Sequence, residues 1–97
     1  LLMLIKEAAM FRMWGKIWKD NHLLQDTVIC MPDYSMSRTQ MVFGALDEIC
    51  TQFDLGHPIW MDSTIQDFKR HDKTRFYQDS FVESIDFDYL EIHVIEE

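Results

Sequence analysis

The sequence predicts an α+β fold, with a small single-layer antiparallel or mixed sheet and its helices packed on one face. Three observations predict this class. Two alternating segments meet at a tight turn, two amphipathic segments with N-terminal capping patterns follow, and an aromatic and β-branched segment closes the chain. In chain order the predicted elements are ββαβαβ.

The first predicted element is a β-hairpin over residues 11–31, with its turn at Asp20 and Asn21. Both residues tolerate positive φ angles, so they suit a two-residue primed turn, and a four-residue loop gives the same pairing of Trp18 with Leu23. Alternate side chains of a strand share a face. The face predicted to meet the core comprises Phe11, Met13, Gly15, Ile17, Leu24, Asp26, Val28 and Cys30.

The opposite face of the hairpin is the first candidate functional surface. It combines two indoles with basic side chains, which can stack on planar or aromatic groups. This face is too apolar for a lone two-layer domain, so we expect a protein partner or a second copy to cover it. Burial beneath the second helix or the N-terminal segment is the alternative. The candidate interface residues are Arg12, Trp14, Lys16, Trp18, Leu23 and Ile29.

The next predicted element is a helix that begins after Ser37. Ser37 and Gln40 fit the capping-box pattern, in which each side chain bonds to the backbone of the other residue. Apolar residues then recur at spacings of three and four up to Phe53, as on a helix that covers a sheet. Gly56 is expected to be the left-handed residue that ends the helix.

Shorter elements are predicted in the second half of the chain. A short strand is expected over 57–61, and a second capping box at Ser63 predicts a helix to about His71. A helical turn is expected within 78–84, before a long closing strand that begins at Ile85.

The alternation of the closing strand changes phase along its length. Ile85, Phe87 and Tyr89 would share one side, whereas the following apolar residues, starting at Leu90, would lie on the other. A bulge near Tyr89 or Leu90, or burial of both faces of the strand, would explain the change.

Length, charge and cysteine content limit the classes of protein. A chain of 97 residues with 47% hydrophobic content can bury one core, so we predict a single domain over 10–97 and an N-terminal extension over 1–9. The net charge of -8 disfavours binding to nucleic acid or to an anionic membrane. Cys30 and Cys50 are expected to be buried, free thiols in a cytoplasmic protein.

A basic segment, residues 69–75, is the second candidate site. It holds four of the nine Lys and Arg residues of the chain. Stabilisation of a helix C-terminus would be sufficient reason for these charges, and pairing with the acidic closing strand, within residues 76–97 that hold seven acids and no Lys or Arg, is a second sufficient reason. The functional alternative is an anion site formed by Arg70, His71, Lys73 and Arg75, although no glycine-rich phosphate loop accompanies it.

No sequence pattern predicts a catalytic residue, a cofactor or a metal site. His71 and Asp72 are neighbours in sequence, so their side chains point in different directions and do not form a catalytic pair. The four histidines lack metal-ligand spacing, and HExxH, CxxC and EF-hand patterns do not occur. The sequence therefore favours a binding module over an enzyme.

The chain resembles an uncharacterised family of short bacterial proteins in three segments, WGKIWKDNHLLQDTVI, FKRHDKTRF and IDFDYLEIHVIEE. The likeness covers most of the chain from about Met10 onward. It implies a compact, single-domain cytoplasmic protein, and it implies no activity, cofactor or site residue. Two functions are therefore weighed: an interaction module that self-associates, and a small-ligand or anion-binding domain centred on the basic segment.

Overall fold

The computed structural model describes residues 10–31 and 36–97, which form an α+β fold around one core. The elements are β1 (Phe11–Lys19), β2 (His22–Met31), α1 (Arg38–Gln52), α2 (Asp62–His71), β3 (Lys73–Phe76) and β4 (Tyr89–Glu96). The four strands form one antiparallel sheet in the order β2-β1-β4-β3. The predicted α+β class is confirmed, but the elements follow the order ββααββ instead of ββαβαβ. The predicted extension, 1–9, lies outside the described residues.

The hairpin forms as predicted, and its turn uses both expected residues. Asp20 and Asn21 have φ angles of 52° and 64°, the pair of positive values that a type I′ turn requires. Trp18 pairs with Leu23 as expected. The backbone N–H of Asp20 also donates to Asp88 Oδ2 at 2.8 Å, which joins the turn to the segment before β4.

Beyond the turn, the register of β2 differs from the prediction by one residue. Leu24 is an extra residue on β2, so Ile17 pairs with Gln25. A shift of one residue exchanges the two faces of a strand. Ile29 is therefore buried in the core with 4% of its surface exposed, whereas Val28 points to the opposite face and is 42% exposed. The prediction that Ile29 lies on the face opposite the core was wrong, and Val28 lies on that face instead.

Helix α1 begins with the predicted capping box and packs on the sheet. Ser37 Oγ accepts from the Gln40 N–H at 3.1 Å, and Gln40 Oε1 accepts from the Ser37 N–H at 2.9 Å. Ile49 lies against Gly15 of β1, where an added Cβ would be 2.7 Å from Ile49 Cγ2. Gly15 thus allows the helix to approach the strand closely.

The end of α1 differs from the prediction in its left-handed residue. Asp54 takes this conformation, with a φ angle of 55°, and Gly56 has no positive φ. The N–H of Leu55 donates to the Cys50 carbonyl at 2.8 Å, and the N–H of Asp54 donates to the Thr51 carbonyl at 3.3 Å. These two bonds form a Schellman motif, so the chain has already turned before it reaches Gly56.

Helix α2 leads directly into a strand that the sequence analysis missed. The helix ends at His71 as predicted, but it begins at Asp62, and Ser63 lies inside its first turn instead of capping it. Asp72 follows in a left-handed conformation, and its N–H donates to the Phe68 carbonyl at 2.8 Å. This turn reverses the chain, which allows 73–76 to pair with β4.

The strand predicted over 57–61 was wrong. The backbone N–H of Ile59 donates to the Ser80 carbonyl at 2.7 Å, outside the sheet. Trp60 packs edge-on against Phe68 of α2 and Phe76 of β3, with ring centroids 5.6 Å and 5.0 Å apart. The segment therefore joins α2 to the core through an aromatic cluster.

The closing strand, β4, begins at Tyr89, four residues later than predicted. Ile85 and Phe87 belong to the loop before it, so no bulge is needed near Tyr89 or Leu90. The other explanation offered for the change of phase, burial of both faces of the strand, applies within β4. Leu90 and Glu91 lie on opposite faces there, and both are buried. The helical turn predicted within 78–84 is a 3₁₀ turn over Gln78–Ser80.

Candidate functional site

The candidate functional surface is the side of the sheet that points away from the core, which we call the outer face. On the hairpin it comprises Arg12, Trp14, Lys16, Trp18, Leu23, Asp26, Val28 and Cys30. Five of the six predicted interface residues therefore lie on one surface. Strands β3 and β4 extend this surface because they are paired beside β1 in the same sheet.

A row of alternating charges crosses all four strands of the outer face. Asp26, Lys16, Glu91 and Arg75 are successive register partners on β2, β1, β4 and β3. Lys16 Nζ lies 3.3 Å from Glu91 Oε1, and Arg75 Nε donates to Glu91 Oε2 at 3.1 Å. Opposite charges on neighbouring strands stabilise a sheet. The row therefore carries no net charge.

Glu91 is the buried centre of this row, with 5% of its surface exposed. Burial alone would raise the pKa of Glu91, but the hydrogen bond from Arg75 and the charge of Lys16 outweigh burial and lower that pKa. The pKa of Arg75 is raised by hydrogen bonds with Tyr77 and with Glu91. Glu91 is therefore ionised at neutral pH and holds both cations.

Trp14 lies on one side of the charged row and is hydrogen-bonded to Asp26 of that row. Its Nε1 donates to Asp26 Oδ2 at 2.9 Å, and Lys16 Nζ lies 3.7 Å from the centroid of its ring. His93 is its register partner on β4. Burial and the charges of Lys16 and Lys73 lower the pKa of His93, so the imidazole beside Trp14 is neutral at pH 7.

Trp18 lies on the other side of the charged row, between Leu23 of β2 and Tyr89 of β4. Arg75 Cζ lies 4.6 Å from the centroid of the Tyr89 ring, and Tyr77 packs on Tyr89 with centroids 5.3 Å apart. Leu23 and Tyr77 remain exposed. The outer face therefore has paired charges at its centre and open apolar groups around them.

The four predicted anion-binding residues line one cavity of about 670 Å³ beside β3. Arg70 and His71 come from the end of α2, and Lys73 and Arg75 come from β3. Three carboxylates line the same cavity: Asp67, Asp79 and Glu91. The cavity is thus lined by three acidic side chains and by three Lys or Arg side chains. One of the three, Arg75, is already paired with Glu91.

A second cavity, of about 780 Å³, opens where the hairpin turn, the end of α1 and the loop before β4 meet. Its walls include Ile17, Phe53, Phe81 and Phe87. Val82, at 90% exposure, lies on its rim. This cavity was not predictable from the sequence, because its walls come from distant segments of the chain.

Other reactive groups in the described ranges do not form a site. Within 10–31 and 36–97, no cluster of three His, Cys, Asp or Glu residues could hold a metal ion. His57 Nε2 lies 2.7 Å from Asp47 Oδ1, but both side chains are largely exposed. Cys30 is exposed, so the prediction that it is buried was wrong, because the register shift places it opposite Arg12 on the outer face. Cys50 is buried as predicted, and burial raises the pKa of its thiol to about 11. Neither helix in those ranges has the length and apolarity needed to cross a bilayer.

Two surfaces therefore carry chemistry that the sequence analysis pointed to. The outer face gathers paired charges and half-buried indoles, and the cavity beside β3 gathers the basic segment together with three acids. Comparisons with protein-family models, with curated proteins and with solved structures found no match for this chain.

Proposed function

We propose that the chain is a small protein-interaction module that self-associates through the outer face of its sheet. One observation carries the proposal: Lys16, Glu91 and Arg75 at the centre of the outer face are paired with one another, whereas several apolar side chains of that face remain exposed. A buried charge is tolerated only when it is paired. Covering the centre of this surface would therefore leave none of these three charges unpaired, and covering its apolar groups would remove apolar area from water.

The charge balance of the outer face supports a second copy as its partner. The chain carries a net charge of -8, so two copies repel each other at long range. The central row of Asp26, Lys16, Glu91 and Arg75 is neutral and adds nothing to this repulsion. Two copies can therefore meet through this face at lower electrostatic cost than through an acidic surface.

The exposed apolar groups suggest a moderate affinity. Full burial of a side chain such as Val28 contributes about 1.5–3 kcal/mol, and Val28 is already more than half buried. In a two-fold symmetric dimer, each contact between two different residues occurs twice. Since association itself costs about 4–15 kcal/mol, little net free energy remains, and we expect a dissociation constant no lower than roughly micromolar order.

A lysine at position 28 is expected to abolish self-association. Val28→Lys places an unpaired charge within the proposed contact, so size-exclusion chromatography with light scattering at about 100 µM should give the mass of one chain. Val82→Lys is the matched control, because Val82 is more exposed and lies outside the outer face. That variant should keep the mass of the native protein. Equal masses for all three proteins would contradict the proposal.

The second candidate function is the binding of a small ligand in the cavity beside β3. The common position of Arg70, His71, Lys73 and Arg75 supports it. The equal numbers of acids and fully cationic groups favour a ligand that carries both signs of charge over a polyanion.

A thermal-shift comparison of phosphoserine with inorganic pyrophosphate tests this candidate. Phosphoserine, which carries an amine and a phosphate, is expected to raise Tm by several degrees, since ligand at a hundred times its Kd adds about 2.7 kcal/mol of stability. Arg70→Gln should remove the shift, and Arg12→Gln, outside the cavity, should keep it. Absence of a shift with both compounds would reject the cavity as a site for either ligand.

A further inference from the structure

We infer that two copies stack their outer faces about a two-fold axis that runs along the strands, midway between β1 and β4. The inference rests on the proposed function and names the residues that meet in the contact. Sheets stacked face to face lie about 10 Å apart, and in the aligned arrangement their strands stay within about 30° of each other. Such a contact covers the outer face of both copies.

Two orientations of the axis keep the strands of the stacked sheets aligned. In a face-to-face contact of two identical copies, the two-fold axis lies in the plane between the sheets. An axis across the strands places each strand over its own copy. An axis along the strands reverses the strand order. If it lies midway between β1 and β4, then β1 lies over β4 of the second copy and β2 lies over β3 of the second copy.

The charged row decides between the two orientations. Its signs alternate from β2 to β3, in the order Asp26, Lys16, Glu91 and Arg75. A row of four alternating charges is complementary to itself when its order is reversed. The axis along the strands therefore sets Asp26 over Arg75 of the second copy, and Lys16 over Glu91 of the second copy. An axis across the strands at this level would set each charge over the same charge, which is unfavourable.

The same charges determine where the axis lies. An axis over β1 would set Lys16 over Lys16 of the second copy, and an axis over β4 would set Glu91 over Glu91 of the second copy. Midway between these strands, each of the two residues meets the opposite charge. Asp26 and Arg75 are exposed, so these two side chains can reach across the contact to each other.

Other residues of β1 and β4 also match about this axis. Arg12 and Glu96 are register partners whose side chains are 43% and 40% exposed, and each would lie over the other residue of the second copy. Trp18 would lie over Tyr89 of the second copy, which brings two aromatic rings together. Opposite charges and aromatic rings therefore meet at several levels along the strands.

Val28 provides a test that depends on the sign of an introduced charge. Its row continues across the sheet through Trp14 and His93 to Lys73 of β3. Reversal of the strand order sets Val28 over Lys73 of the second copy. Val28→Glu should therefore form an ion pair across the contact, whereas Val28→Lys should meet a like charge.

Chemical cross-linking tests the same facing pair with Val28→Cys and Lys73→Cys, each in a Cys30→Ser background. Mixed and treated with a short bis-maleimide, the two variants should link mainly to each other, as mass spectrometry can show. Val28→Cys alone should link slowly, because residue 28 lies three strand spacings, about 14 Å, sideways from its own copy. Val82→Cys, outside the outer face, is the control and should not link to Lys73→Cys. Faster linking of Val28→Cys to itself than to Lys73→Cys would overturn the facing pair.

Sedimentation equilibrium of the native protein and of the two charged Val28 variants measures the effect of sign. The Kd of Val28→Glu should be lower than that of Val28→Lys by about tenfold or more. Net charge alone predicts the reverse, because glutamate makes the net charge of -8 one unit more negative and lysine makes it one unit less negative. In a Lys73→Gln background, the difference between the two variants should disappear.

The outcomes separate the orientation of the axis from self-association itself. If the native protein associates and Val28→Glu binds more tightly than Val28→Lys, the inference is supported. If the native protein associates but the two variants are equal, or Val28→Lys binds more tightly, the orientation is overturned and self-association stands. A native protein that stays at 11.7 kDa overturns both.

Discussion

Replacing Glu91 by glutamine is expected to destabilise the protein by about 3 kcal/mol, as for a buried ion pair that loses one partner. Glu91 is 5% exposed and holds Lys16 and Arg75, and the Lys16 side chain is itself largely buried. The variant would leave Lys16 without its counter-charge. Chemical denaturation of Glu91→Gln and of Glu96→Gln provides the measurement. Glu96 pairs with Arg12 at an exposed site, so its loss should cost less than about 1 kcal/mol.

The same pair of variants should differ in the pH dependence of stability. The pKa of Glu91 is lower in the folded protein than its usual value of 4.5. Its contribution is therefore complete above about pH 4.5 and is lost as the pH falls through the lower, folded value. His93, whose pKa is also lowered, causes a separate loss of stability as the pH falls below 6.5 in both proteins. Below pH 4.5, the free energy of unfolding of Glu91→Gln should fall less steeply with decreasing pH than that of Glu96→Gln. Equal slopes would contradict the assignment of a lowered pKa to Glu91.

Replacing Gly15 by alanine is expected to destabilise the protein by about 1–3 kcal/mol through overpacking. The new Cβ would lie 2.7 Å from Ile49 Cγ2 and 2.8 Å from Ile49 Cδ1, so α1 would have to move away from β1. Gly56→Ala is the control, because a Cβ there meets nothing within 4 Å and the residue has no positive φ. A ΔΔG within about 0.5 kcal/mol of zero for Gly15→Ala would contradict the packing described above.

A double mutant isolates the contact between Gly15 and Ile49. Ile49→Ala alone should cost about 2–5 kcal/mol, because it opens a cavity above β1. In that background the methyl group added by Gly15→Ala occupies part of the vacated space. Adding Gly15→Ala to Ile49→Ala should therefore cost little or restore stability, which gives a favourable coupling energy. Additive effects would show that the two residues do not share this space.

The hairpin was predictable because its signals are local. Two adjacent residues that accept positive φ angles define the turn, and the alternation of β1 alone sets which side chains face the core. The bulge at Leu24 was not predictable, because it depends on how β2 meets β1 and not on the composition of β2. Because of this one extra residue, Ile29 lies in the core and Val28 lies on the outer face.

Strand β3 was missed because its sequence resembles a helix end more than a strand. KTRF has two basic residues that suit a helix C-terminus, and its core residues are only Thr74 and Phe76. The left-handed turn at Asp72 separates it from α2, and aspartate gives a weak signal for that conformation.

The central residue of the outer face could not be found from the hairpin alone. Glu91 reaches Lys16 only because β4 lies beside β1, a pairing between residues far apart in sequence. The alternation around it gives a partial signal, since Leu90 and Ile92 are apolar and Glu91 between them must face the other side. The neutral charge of the cavity beside β3 is equally non-local, because Asp67, Asp79 and Glu91 come from separate segments.

The most direct test of self-association is sedimentation equilibrium of the native protein over a range of concentrations. One chain has a mass of 11.7 kDa. The proposed contact predicts a mass that rises with concentration from that of one chain towards twice that value, with a midpoint of roughly micromolar order or higher. A single species of 11.7 kDa at every concentration up to about 1 mM would contradict it.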